Sequence, residues 1–429
     1  MSAIPALILF CIFMIGVPVG FSLLIATGIY YLFINNTMPV DMMFQALVTS
    51  TESYPLLAIP FFVTAGVVMN YSGISSRLMS AAEAFVGHMV GGLAQVNVLL
   101  SVLMGGISGS CNADAAMQCK ILVPEMSKRG YGKAFSAVVT AASSCITPII
   151  PPGIVLILYS CLTNVSVGRM FMAGYIPGIM MAIALMILVS FISKKRGYKA
   201  TREKRASFRE IIKQLMESSW ALFLPFGIIL GLRFGWFTPT EAGAMTVLYS
   251  IFVGAFIYKE LKFSHVKQIL KESVSGTSSI LFIIAAANCF GRYMNIERIP
   301  QTVTESLMGF TSSPIVLLLI INLLLFFVGM FIEGGAAMII LAPMLVPSAL
   351  KLGIDPVHLG IIMSINLTLG GLTPPFGTML FLTSSILDIK VKDFIRESLP
   401  FIAVLVGVLM ILVFIPQLVT FLPNLVYGV

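Results

Sequence analysis

Long stretches without any charged residue constrain what this chain can fold into. No Asp, Glu, Lys or Arg precedes Asp41, and ten further uncharged runs follow. The runs cover residues 53–76, 84–113, 134–168, 170–193, 242–258, 273–291, 306–332, 334–350, 356–387 and 398–429. Several exceed the ~20 apolar residues that a helix needs to cross a bilayer. Only 10% of the residues are charged, against about a quarter in soluble domains.

This pattern predicts an all-α polytopic membrane protein. It excludes soluble enzymes and secreted disulfide scaffolds, because too little charge is available for a water-facing surface. It also excludes outer-membrane barrels, since their strands alternate in hydrophobicity. The six cysteines show no CxxC spacing, so we expect reduced thiols and no transition-metal site.

The positive charge is concentrated in one segment. The formal net charge is +8, and residues 194–213 hold nine Lys or Arg and two Glu, a net of +7. Short basic loops lie on the cytoplasmic side, so residues 194–217 are predicted to be a basic cytoplasmic connector. Membrane lipid with anionic headgroups is a secondary partner expected there. We expect no nucleic-acid partner, because the segment lies between predicted spans.

The connector separates two halves that resemble each other, residues 1–193 and 218–429. The first half contains GGISGSCNADAAM at 105–117 and SSCITPIIPPG at 143–153. The second contains VGMFIEGGAAM at 328–338 and LTLGGLTPPFG at 367–377. Each half thus has a Gly-rich break before Ala-Ala-Met and a Pro-Pro pair further on. An odd number of spans in each half would make an inverted repeat, a plan common among secondary transporters.

The breaks predict two kinds of interrupted segment. Re-entrant hairpins are expected at 93–124 and 315–347, and broken helices at 134–160 and 357–387. Unpaired backbone groups cost several kcal/mol in hydrocarbon, so a hairpin tip must line a protein cavity or bind something. Carbonyls freed by the proline pairs, together with nearby hydroxyls, suit Na⁺. The alternative is ordinary packing, by small-xxx-small contacts and by hydroxyls bonded within their own helix.

Other function classes fit the sequence less well. No HExxH motif and no GxxxxGK[ST] motif occurs, which disfavours an intramembrane metalloenzyme and an ATP-driven pump. We therefore expect a protein that is not an enzyme and uses no organic cofactor. A channel would normally need a ring of subunits or a continuous polar pore. Paired hairpins with small-residue tips fit a carrier better.

Four motifs together resemble the large membrane subunit of tripartite ATP-independent periplasmic (TRAP) transporters. They are GGISGSCNADAA, VPEM…GYGKAFS at 123–136, AASSCITPIIPPG at 141–153 and GGLTPPFGTMLF at 370–381. The resemblance covers essentially the whole chain, and within the family it is strongest to sialic-acid transporters.

The resemblance implies an elevator-type transporter with about eleven transmembrane helices and two re-entrant hairpins. It implies residence in the bacterial inner membrane as a multi-pass protein. The expected partners are a small membrane subunit and a soluble periplasmic substrate-binding protein. The expected activity is Na⁺-coupled import of an organic acid, with sialic acid first and a C4-dicarboxylate or other carboxylate as the alternative.

The resemblance also implies positions for the ions and the substrate. A first sodium site would use Ser108, Ser110, Ser144, Thr147, Ile150 and Pro152. A second would use Gly334, Gly370, Thr373 and Phe376. The substrate would lie between the two tips, near Asn112, Asp114 and Glu333, which include two lone carboxylates at predicted membrane depth.

Overall fold

The computed structural model describes residues 4–35, 39–49, 52, 54–202, 205–374 and 377–428. All regular elements in these ranges are helical, so the predicted all-α class is confirmed. The first half contains α1 (Ile4–Met14), α2 (Val19–Ile29), α3 (Asp41–Thr49), α4 (Ala58–Tyr71), α5 (Ile74–Val86), α6 (Gly92–Ser108), α7 (Cys111–Lys128), α8 (Lys133–Ser144), α9 (Ile154–Thr163) and α10 (Val167–Arg196).

Among its described residues, the second half contains eleven α-helices. They are α11 (Phe208–Glu217), α12 (Ser219–Arg233), α13 (Pro239–Phe252), α14 (Val266–Ile296), α15 (Ile299–Phe310), α16 (Pro314–Gly329), α17 (Gly334–Lys351), α18 (Pro356–Leu372), α19 (Thr378–Leu387), α20 (Val391–Phe414) and α21 (Gln417–Tyr427).

Local sequence explains several helix boundaries. Thr238 and Glu241 form a capping box at the start of α13, where Pro239 occupies the first turn and costs no hydrogen bond. Asp355 caps α18 by accepting from two backbone N–H groups. The long helix α10 ends in three basic residues, which favour the negative end of the helix dipole, followed by Gly197 at φ 71°.

Helix positions recur between the halves. The starts of α6, α7, α8, α9 and α10 reappear 222 to 224 residues later as the starts of α16, α17, α18, α19 and α20. Both halves therefore contain two helices joined by a short break, then two more helices joined by a second break, then a long helix. Whether the two halves are inverted stays a prediction.

The two halves meet at their interrupted segments. The helix α9 packs against α17, and α19 packs against α7, so each half contacts the hairpin arm of the other. The Sγ atom of Cys145 lies 3.6 Å from the carbonyl oxygen of Thr368, its counterpart at an offset of 223 residues. Nearly every residue of α8 and α18 is buried, so these two helices form the centre of the core.

Five described helical segments are long and apolar enough to cross a membrane, or up to seven if two bent pairs are each one span. The bent pairs are α4 with α5, at 72°, and the Arg209–Glu217 part of α11 with α12, at 65°. The arm α17 is among the five, although it was predicted to be half of a re-entrant hairpin. Large exposed apolar side chains, such as Phe223, Phe226 and Leu248, suit a lipid-facing exterior. The count of about eleven spans stays a prediction, because several helices are interrupted and short.

Candidate functional site

The first hairpin tip lies directly against the first Pro-Pro break. The helix α6 ends at Ser108, and Gly109 adopts φ +57°, which glycine tolerates without strain. A Cβ on Gly109 would lie 2.3 Å from the Pro152 carbonyl oxygen, so only glycine allows this approach. Ser110 then caps α7 by accepting a 3.4 Å hydrogen bond from the Ala113 N–H. The structure therefore brings the predicted tip and break residues together.

The chain between Ser144 and Ile154 leaves several carbonyl groups free. Within the described ranges, the carbonyls of residues 147–152 accept no backbone hydrogen bond. The Thr147 carbonyl oxygen faces the tip, at 3.3 Å from where a Cβ on Gly105 would stand. The Ser108 hydroxyl is also buried and makes no hydrogen bond to a described residue. Unpaired oxygens of this kind suit a hard monovalent cation better than they suit a packed core.

Ser144 makes a different kind of contact. Its hydroxyl donates a 2.8 Å hydrogen bond to the Thr140 carbonyl, one turn earlier in the same helix. This is the ordinary packing arrangement for a serine in a helix. The hydroxyl proton of Ser144 is therefore already used, although its oxygen keeps lone pairs.

Asp114 lies at the centre of a buried polar network of the first half. It is 1% exposed, and its carboxylate accepts hydrogen bonds from Ser101 at 2.8 Å, Gln118 at 2.9 Å and Thr147 at 2.9 Å. Asn97 extends the network by donating to Thr140 and accepting from Ser143. Asp114 thus links α7 to the first Pro-Pro break and holds the Thr147 side chain in place.

The second tip packs backbone against backbone. A Cβ on Gly370 would lie 2.4 Å from the carbonyl carbon of Gly329, so α16 and α18 approach closely at this point. Gly334 lies at the same crossing, near Leu367. Glu333 caps α17 by accepting a 3.1 Å hydrogen bond from the Ala336 N–H.

The proposed ion ligands of the second break are already paired. The Gly370 carbonyl accepts from the Thr373 N–H at 2.9 Å, and the Thr373 hydroxyl donates to the Leu369 carbonyl at 2.8 Å. Phe376, also predicted for the second sodium site, lies outside the described residues. The two breaks also differ in charge, because the counterpart of Asp114 at an offset of 223 residues is Ala337.

The two hairpin tips face each other across a small cavity. Its volume is about 80 Å³, below the ~300 Å³ typical of the smallest ligand pockets. Its lining includes Ser110 and Cys111 from the first tip and Glu333 from the second. Asn112 follows the first tip, and its side-chain oxygen is buried without a described partner. Asp114 is not among the lining residues, because its carboxylate faces the network inside the first half.

A larger cavity adjoins the second hairpin. Its volume is about 460 Å³, and α14 contributes Asn288, Arg292 and Asn295 to its lining. These residues were not predicted from the sequence. Their spacing of i, i+4 and i+7 in the C-terminal half of α14 was the signal available, since it places them on one helix face.

Comparisons with known proteins now decide the family. A family model described as "Tripartite ATP-independent periplasmic transporter, DctM component" matches residues 6–418. The chain belongs to this family. The resemblance to TRAP large subunits drawn from the motifs is thereby confirmed. The DctM family comprises transporter permeases and not enzymes.

Two relatives support the assignment, and one solved structure shares the fold. The chain is 39% identical to "Sialic acid TRAP transporter large permease protein SiaM" of Vibrio cholerae, covering 96% of both chains. It is 38% identical to "C4-dicarboxylate TRAP transporter large permease protein DctM" of Pseudomonas aeruginosa, covering 86% of both. The fold resembles the crystal structure of the Alcanivorax borkumensis YdaH transporter, with a TM-score of 0.64 at 15% identity over 96% of this chain and 98% of that one.

Membership of a tripartite family has two direct consequences. It implies a small membrane subunit and a periplasmic binding protein as partners. It also implies a multi-pass protein of the inner membrane, in agreement with the apolar helices of the fold.

Proposed function

We propose that this DctM-family chain imports an organic acid by Na⁺-coupled secondary transport, in an elevator type of alternating access. A periplasmic binding protein would deliver the acid, and the small membrane subunit would complete the scaffold. We take sialic acid as the first candidate substrate and a C4-dicarboxylate as the second, after the names of the two relatives.

The observation that supports Na⁺ coupling is the oxygen-rich contact between the first tip and the first break. Ser108 has a buried hydroxyl that is unpaired among the described residues, and the adjacent Gly109 lies against the Pro152 carbonyl. The carbonyls of residues 147–152 accept no backbone hydrogen bond within the described ranges. All these groups would offer an oxygen atom to the ion, and hard cations prefer oxygen ligands. Broken helices offer such groups in secondary transporters. Ser108, Thr147, Ile150 and Pro152 would hold the ion, and Asp114 would fix the Thr147 side chain.

The second predicted sodium site has weaker support. The Gly370 carbonyl and the Thr373 hydroxyl already have partners within α18. A carbonyl oxygen has two lone pairs, so Gly370 retains one for an ion. Our proposal keeps this site, with contacts that come mainly from backbone oxygens.

Alternating access is supported by the repeated order of helices. Both halves contain a hairpin and a broken helix at the same offset, and each half packs against the hairpin arm of the other. We propose that these four segments move together, while α2, α4, α13 and α14 belong to the scaffold. Within it, α14 packs against α2 and α4, and α4 packs against α13.

Reconstitution tests the proposal. Proteoliposomes containing this chain and its small membrane subunit receive the binding protein loaded with labelled sialic acid or labelled succinate. We expect uptake of one of these acids only with an inward Na⁺ gradient, and none when K⁺ replaces Na⁺. Full uptake by this chain alone, or equal uptake in K⁺, would contradict the proposal.

A further inference from the structure

The helix α14 presents a polar stripe to the largest cavity described above. Asn288, Arg292 and Asn295 lie on one face of α14 and line the cavity of about 460 Å³. Ile339 and Pro343 of α17 also line the cavity, which therefore lies between this scaffold helix and the second hairpin. Its volume falls within the ~300–1,000 Å³ range of small-molecule sites.

Arg292 makes this cavity cationic. It is the only charged residue among the described lining residues, and its side chain is exposed. No described carboxylate lies within 4.0 Å of its guanidinium, although six other ion pairs occur in the same part of the chain. The nearby Glu297 accepts a hydrogen bond from Tyr30 instead. A guanidinium without a described carboxylate partner is available to pair with an anionic ligand.

The neighbouring amides can recognise polar groups beside the charge. The Asn288 side chain donates one hydrogen bond to the Ile284 carbonyl at 3.1 Å, which leaves its second N–H and its oxygen free. The Asn295 side chain has no hydrogen-bond partner in the described ranges. The Arg292 guanidinium, with the amides of Asn288 and Asn295 beside it, suits a carboxylic acid that also carries hydroxyl or amide groups.

We infer that Arg292 binds the carboxylate of the transported acid in the cavity between α14 and the second hairpin, with Asn288 and Asn295 contacting its uncharged polar groups. This inference rests on the proposed import function. It adds a cationic contact to the hairpin tips, since Glu333 is the only charged residue among the described residues that line the small cavity between them. An anionic substrate would be repelled by that carboxylate and attracted by Arg292.

Substrate-dependent stability tests the inference. The chain is purified with its small membrane subunit, and its unfolding midpoint is titrated with the acid that wild-type proteoliposomes import and with the methyl ester of that acid. The variants are Arg292→Gln, Arg292→Lys and the control Lys267→Gln, which removes a solvent-exposed cation near the other end of α14.

We expect Arg292→Gln to raise the half-saturating acid concentration at least tenfold, about 1.4 kcal/mol. Arg292→Lys should recover part of the affinity, because it keeps the charge but loses the bidentate geometry. The uncharged ester should bind wild type and Arg292→Gln alike, and Lys267→Gln should behave as wild type.

Three outcomes would overturn the inference. One is an unchanged half-saturating concentration in Arg292→Gln. Another is reduced uptake at every acid concentration with unchanged binding, which would assign Arg292 to docking of the binding protein. The third is wild-type import without any stabilisation by the acid. Failure of wild-type liposomes to import any acid would instead refute the proposed function.

Discussion

Replacing Ser108 by alanine separates an ion ligand from an ordinary core serine, because the two roles predict opposite effects on stability. The Ser108 hydroxyl is buried and has no hydrogen-bond partner among the described residues. A buried polar group left unpaired costs ~1–3 kcal/mol. In the absence of a ligand, Ser108→Ala should therefore stabilise the protein by up to about that amount.

Na⁺ should reverse this order. A ligand present at 100 times its dissociation constant stabilises the folded state by ~2.7 kcal/mol. If Ser108 contributes a ligand oxygen, the variant loses much of that stabilisation and its half-saturating Na⁺ concentration rises. Wild type should then be the more stable protein in saturating Na⁺, and Ser108→Ala the more stable one in K⁺.

The assay is equilibrium unfolding in mixed micelles at constant ionic strength, with Na⁺ exchanged stepwise for K⁺. The matched control is Ser364→Ala, since this buried serine donates a 2.7 Å hydrogen bond to the Gly360 carbonyl within α18. The control should lose ~0.5–1.5 kcal/mol in both salts. Our reasoning is wrong if Ser108→Ala behaves like the control, with one loss that does not depend on the cation.

Three further predictions follow from the packing. Asp114→Asn should cost ~1–3 kcal/mol and abolish uptake, because an amide has a single accepting oxygen and its NH2 group would face at least one of the three side-chain donors around this carboxylate; unfolding midpoints and liposome uptake measure both effects. Gly370→Ala should destabilise the protein by ~1–3 kcal/mol or more, because it forces a Cβ against the second tip. The control Gly407→Ala has open space around it, so its stability should be unchanged or higher by up to ~1 kcal/mol. Equal stability of the two variants would contradict this reasoning. Tyr159→Phe should cost ~0.5–1.5 kcal/mol through loss of its 2.6 Å hydrogen bond to the first residue of α18, and an unchanged unfolding midpoint would refute that contribution.

Much of the architecture was readable from local sequence. The interruptions after Ser108 and Gly329, and the breaks before both Pro-Pro pairs, appear in the structure where glycine and proline predicted them. These residues act locally, since glycine permits positive φ and proline removes a backbone donor. The motifs around them also sufficed to predict the family.

The roles of individual polar side chains were less readable. Thr147 and Thr373 both sit beside a Pro-Pro pair, yet Thr147 donates to Asp114 and Thr373 donates to its own helix. Sequence reasoning grouped Asp114 with Glu333, whereas the structure places the Asp114 carboxylate in the first-half network and leaves Glu333 beside the cavity between the tips. The stripe through Arg292 had a visible spacing, but nothing in the sequence indicated that it faces a cavity.

The division has a physical reason. The sequence alone determined the membrane setting, the all-helical class and the positions of the breaks, because a bilayer forces each segment to satisfy its own backbone and so makes interruptions visible in composition. Only the tertiary structure decided which donor meets which acceptor. Asp114 and Thr147 are 33 residues apart, and their contact depends on how α7 packs against α8. The tertiary structure also leaves the buried Ser108 hydroxyl without a partner among the described residues, and it forms the cavity between α14 and α17 that Arg292 lines.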